Sequence, residues 1–159
     1  MLAEAVPFPR NGGHGSAGAD FFSLQFEATP PETRLALAKA VMQLGLWDLP
    51  EDVAASTEIA LAEACNNIAE HAYAGRDPGP VWLGLLLQST KIIVTLSDRG
   101  WPLSPDLVQA PVTAPDPSAL PEGGFGWFLI KSLAQDLRIH RMNGTNHLTF
   151  SIPRTKPAS

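Results

Sequence analysis

Glu63, Asn66, Asn67, Glu70 and His71 crowd into nine residues of a helical-looking segment, and no Lys or Arg occurs between Lys39 and Arg76 to balance them. Projected at about 100° per residue, the five share one polar arc. Leu61, Ala62, Ala64, Cys65, Ile68, Ala69, Ala72 and Tyr73 fall on the other side. Glu63, Asn67 and His71 are successive i, i+4 neighbours, so their side chains are expected to stack along one line. Asn is a poor helix former, and two in succession cost stability without an evident packing return. A carboxylate beside a carboxamide can orient a water or hydroxyl and hold a hard cation such as Mg²⁺. The pattern alone also describes an amphipathic helix with an ordinary wet face.

Two other stretches carry complementary chemistry. KIIVTLSDRG ends an apolar strand in Asp98, with Gly100 two residues on. A partly buried carboxylate there could accept from an exocyclic amine while Gly100 lets backbone approach a flat ring, although an acid at a strand end also suits a plain turn. Glu122-Gly123-Gly124-Phe125-Gly126 precedes a helical pattern. Glycine amides at a helix start form an anion site without a basic side chain. The loop lacks the GK[ST] of a P-loop and does not follow a strand as a dinucleotide fingerprint does.

The elements that must position these groups read β-α-α-β-β-loop-α-β-β. Phe22, Leu24 and Phe26 share one face of an alternating strand. Pro30 and Pro31 suit the first turn of a helix through Leu46. Asp48, with Glu51 three residues later, predicts the N-cap of a long helix running to about Tyr73. Val81–Gln88 and Lys91–Ser97 form a hairpin about Ser89-Thr90. Residues 99–122 hold six prolines and three acids against Arg99, a lid-like loop of a length that is usually functional or mobile. GGFGWFLIKSLAQDL opens an amphipathic helix, and Asn143-Gly144 turns a final hairpin. The class is α+β: a two-layer sandwich, its sheet mixed but mostly antiparallel, with helices on one face.

At 159 residues the chain reads as a Gly/Ala/Pro-rich flexible tail over 1–19 and a single domain over 20–155. Its 45% hydrophobic and 17% charged content suits a folded domain. A net charge of −5 argues against direct binding of nucleic acid or anionic lipid. The single cysteine, Cys65, excludes an internal disulfide or a multi-cysteine zinc site and reads as a buried hydrophobe. With neither a leader pattern nor an apolar run of membrane-spanning length, a cytoplasmic protein is expected.

The order of these features resembles the GHKL ATPase superfamily of gyrase, MutL and the sensor histidine kinases. Glu63-Ala-Cys-Asn-Asn67 with Glu70-His71-Ala-Tyr73 is similar to its N box, and Asp98-Arg-Gly100-Trp-Pro102 to its first glycine box. Glu122-Gly-Gly-Phe-Gly126 with Phe128-Leu129-Ile130 is similar to the second glycine box, and Asn143-Gly144-Thr145 to the last turn motif. The resemblance runs from about Asp20 to Pro153. Within the superfamily the motifs look most like the bacterial anti-sigma-factor serine kinases of the RsbW type, and the short chain leaves no room for a phosphoacceptor helix pair or a transducer domain.

The resemblance implies ATP and Mg²⁺ as cofactors. Glu63 would be the general base and Asn67 the magnesium ligand. Asp98 would accept from the adenine amine, with Gly100 beneath the ring and Thr145 in the same network. Gly123, Gly124, Phe125 and Gly126 would line the phosphates, and His71 would support the site. The implied function is to bind a sigma factor and phosphorylate a serine on an anti-anti-sigma (STAS-type) antagonist. An ATP-gated binding module with little kinase activity and a detached histidine-kinase ATPase domain stand as alternatives. From Trp101 to Ile130 there is no Lys or Arg, so Arg99 or a partner would have to meet phosphate charge. Family members often form homodimers.

Overall fold

The computed structural model describes residues 20–104, 106 and 124–155. The expected tail over 1–19, most of the proline-rich segment, and Gly123 lie outside the described residues. The elements are β1 (Phe21–Glu27), α1 (Pro30–Leu46), α2 (Glu51–Asn67), a π-helical turn (Ile68–Ala72), β2 (Pro80–Leu87), β3 (Lys91–Asp98), α3 (Gly124–Leu133), β4 (Gln135–Met142) and β5 (Thr145–Pro153). The sheet order is β1-β2-β3-β5-β4, and each of the four pairings is antiparallel.

Period-2 alternation explains the two layers. Leu83 and Leu85 of β2, Ile92, Val94 and Leu96 of β3, and Leu148, Phe150 and Ile152 of β5 all point into one buried core. Ala36, Ala40 and Leu44 of α1, Ala60, Leu61, Ala64 and Cys65 of α2, and Ile130 of α3 meet them there. Phe26 is buried and Phe22 and Leu24 pack against the same core, so β1 presents the face expected of it. The helices lie on one face of the sheet.

The helix ends are set locally. Pro30 and Pro31 occupy the first turn of α1, and Thr29 Oγ1 accepts from Glu32 N at 3.4 Å. At α2 the expected cap is displaced. Asp48 takes a left-handed conformation (φ 50°), and Pro50 caps the helix through its carbonyl, which accepts from Val53 N and Ala54 N at 3.0 Å each. The third helix is shorter than its sequence pattern suggested. It stops at Leu133; Asp136 at φ 53° and an irregular register between Gln135 and Arg138 turn the chain into β4. Ser151 Oγ donates to Gln135 O at 3.3 Å and so binds that start to β5. No helix of the described residues is long and apolar enough to cross a membrane.

Candidate functional site

Packing of α3 on α2 brings the first two groups together. Gly126 is buried, and a Cβ built on it would lie 2.9 Å from Glu63 Oε2, 3.4 Å from Asn67 Nδ2 and 3.5 Å from Asn67 Oδ1. The first turn of α3 therefore sits directly on the carboxylate and carboxamide of α2. The five polar residues of the arc separate accordingly: Glu63 and Asn67 are half-buried, whereas Asn66, Glu70 and His71 are exposed.

Asn67 Nδ2 is buried without a hydrogen-bond partner among the described residues. Buried polar atoms are nearly always paired, so an orphan beside a carboxylate signals a group that ligand chemistry completes. The amide turned end for end presents an oxygen in the same place, a donor suited to a hard cation. Glu63 and Asn67 thus fit magnesium and phosphate oxygens.

At the end of β3, Asp98 is 1% exposed. Its Oδ1 accepts from Gly100 N at 2.8 Å and from Asn146 Nδ2 at 2.9 Å. Asn146, also 1% exposed, donates as well to Trp101 O at 2.7 Å and accepts from Arg141 Nη1 at 2.8 Å. Asp98 pairs with Asn146 across β3 and β5, one position beyond Thr145. Thr145 lies next to this network, in which Asn146 makes the hydrogen bond to Asp98.

Gly100 explains the π turn. A Cβ there would stand 2.1 Å from Ala72 O and 2.5 Å from Ala72 C, so only glycine fits. The close approach it permits here is to the backbone of Ala72. Trp101 N donates to Ala72 O at 2.7 Å, and the Trp101 indole donates to Ala74 O at 2.8 Å. His71, within the π turn, lies in solvent with its Nε2 3.6 Å from Glu70 Oε2. Tyr73 ends the turn as a core residue. Its hydroxyl donates to Pro80 O at 2.7 Å and accepts from Arg99 N at 2.8 Å, and burial raises its pKa, so it stays a donor.

Arg99 does not face the site. Its guanidinium lies 5.0 Å from the centroid of Trp82, and Trp82 alternates with the buried Val81 that pairs with Asp98. Arg76 stacks 3.9 Å over the ring of Trp101. Gly124 and Phe125 form the first turn of α3. Cys65 is buried, and desolvation pushes its thiol up to about 12, so it is no nucleophile. On the sheet face away from the helices, Ser97 Oγ and His147 Nδ1 are 2.8 Å apart, and His147 stacks on His140 with centroids 6.3 Å apart. Burial first, then His140, holds His147 below the ordinary histidine range, with Asp98 opposing.

Asn146 and Arg141 are the residues that sequence reasoning missed; the signal available was their flanking of the Asn143-Gly144 turn, which sets them opposite each other in the hairpin.

Residues 26–152 match the histidine kinase-like ATPase domain. The chain belongs to this family. Among its relatives in the histidine kinase-like ATPase family, the serine-protein kinase RsbW of Oceanobacillus iheyensis is 28% identical over 79% of this chain and 82% of that protein. RsbW of Bacillus cereus is 31% identical over 70% of this chain and 69% of its own length. A crystal structure of the RsbU and RsbW domains of a Mycobacterium tuberculosis protein superposes with a TM-score of 0.61 at 18% identity, covering 87% of this chain and 33% of that one. That last likeness concerns the fold, an α+β ATPase domain of the RsbW and histidine-kinase kind.

Proposed function

We propose that this chain binds Mg-ATP where α2, the end of β3 and the start of α3 meet, and transfers the terminal phosphoryl group to a serine of a partner protein. By similarity to the RsbW kinases, that partner is an anti-anti-sigma (STAS-type) domain, and a sigma factor is the protein held and released. The carrying observation is the contact of Gly126 with Glu63 and Asn67, two residues of one helix face covered by a glycine with no side chain of its own.

Glu63 would accept the proton of the attacking hydroxyl, and Asn67 would hold the magnesium ion beside the phosphates. Bound magnesium neutralises phosphate charge. Backbone amides at the start of α3, including those of Gly124 and Gly126, face the phosphates at the positive end of the helix. Asp98 accepts from the exocyclic amine of the base.

Arg99 on the opposite sheet face, together with the absence of Lys and Arg from Trp101 to Ile130, favours a second reading: a nucleotide-gated binding module with slow phosphotransfer. Calorimetry with Mg-ATP tests the shared core, and loss of the binding heat in Asp98→Asn is expected. Single-turnover transfer to a serine-bearing antagonist then separates the two. The kinase reading expects Glu63→Gln to bind Mg-ATP within about threefold of wild type and to lose at least about a hundredfold in transfer. Transfer that is negligible in the wild type, with partner affinity still set by ATP against ADP, selects the gated module.

A further inference from the structure

Asp98, Asn146 and Arg141 form one cross-strand row on the helix side of the sheet: Asp98 lies opposite Asn146, and Asn146 opposite Arg141. Each group fixes the next. Arg141 Nη1 donates to Asn146 Oδ1 at 2.8 Å and to Gly100 O at 3.0 Å. With its oxygen engaged by a cation, the Asn146 amide has one orientation that keeps its bonds. Nδ2 then donates to Asp98 Oδ1 and to Trp101 O. Turned end for end, the amide would set oxygen against both of those acceptors and its NH₂ against the guanidinium.

The consequence lies at Asp98. Both hydrogen bonds to it among the described residues, from Gly100 N and Asn146 Nδ2, arrive at Oδ1. The carboxylate is thereby held in one rotamer, and as an ionised group it can only accept. A base with an exocyclic amine supplies a donor. A base with a carbonyl at that place meets lone pair against lone pair in a buried setting, where unpaired polar groups are costly.

We propose that Asn146, oriented by Arg141, is the positioning residue that sets Asp98 to select an amino purine over an oxo purine. The inference rests on the nucleotide-binding reading above and adds two residues outside the motifs that suggested it.

Calorimetry with Mg-ATP and Mg-GTP on the full chain tests it, using wild type, Asn146→Ala, Arg141→Met and Arg141→Lys. Asn146→Ala is expected to weaken ATP by about tenfold with little change for GTP, so the ATP-to-GTP ratio falls by about the same factor. Arg141→Met lowers the ratio less, and Arg141→Lys, which keeps one charged donor, restores most of it. Arg141 is exposed, so its variants carry the test even if Asn146→Ala does not fold. A ratio within twofold of wild type in Asn146→Ala and Arg141→Met, or equal weakening of both nucleotides, overturns the proposal while leaving ATP binding intact. A wild type that binds neither nucleotide overturns the nucleotide reading and this inference together.

Discussion

Gly126 stands against Glu63 so closely that a methyl group added at 126 would come within 2.9 Å of Glu63 Oε2. The atom it would strike is the end of a flexible side chain, which can swing aside cheaply, but that movement takes the carboxylate away from its working place. Gly126→Ala is expected to fold with a stability change under about 1 kcal/mol and to lose at least about tenfold in phosphotransfer. Parallel thermal unfolding and single-turnover measurements check it; full activity in the variant would mean that Glu63 needs no fixed position.

Asn67→Ala separates stability from function. The variant removes an orphaned buried donor and replaces a poor helix former with the best one. Without nucleotide, its urea midpoint is expected to match or exceed wild type, by up to about 1 kcal/mol. The stabilisation that Mg-ATP confers on the wild type should disappear in the variant, and EDTA should abolish it in the wild type.

Gly100→Ala should behave oppositely to Gly126→Ala. Here the added methyl meets the carbonyl of Ala72, which cannot move without opening the π turn and its bond to Trp101. A cost of about 3 kcal/mol is expected, lowering the melting temperature by about 10 °C. Calorimetric melting reads it out, and an unchanged melting temperature would show that the turn is free to relax.

His147 makes stability depend on pH. Its folded pKa lies below the unfolded value of about 6.5. The unfolded chain therefore binds more protons as pH falls through that value, and stability present above it is lost toward lower pH. Denaturant midpoints should decline from pH 7 to pH 5, with a flatter decline in His147→Gln.

Much of the frame was legible because local rules and tertiary packing agree. Proline at the start of α1, alternation in β1–β3 and Asn143-Gly144 each have one cheap solution, and the sheet adopts all three. The polar arc of α2 was legible as a set but not as individuals. Separating Glu63 and Asn67 from His71 depends on α3 covering the first two and leaving the third in solvent, which is a long-range effect. Arg99 illustrates the same limit: its neighbours in sequence suggested a phosphate contact, while the alternation of the strand sends it to Trp82. Asn146 hid behind Thr145 because which of two adjacent residues meets Asp98 is decided by the register of β3 against β5.

The strand order has a consequence for how the protein is made. β5, the last of these five strands in chain order, is an interior strand between β3 and β4. Until it emerges, β4 has no partner with which to join the sheet, and the core-facing edge of β3 is open. Asp98 likewise lacks Asn146, so the base-recognition end is the last part of the site to form. A nascent chain ending before Thr145 would carry Glu63, Asn67 and Gly126 but not the partner of Asp98, so the proposed nucleotide site waits on β5.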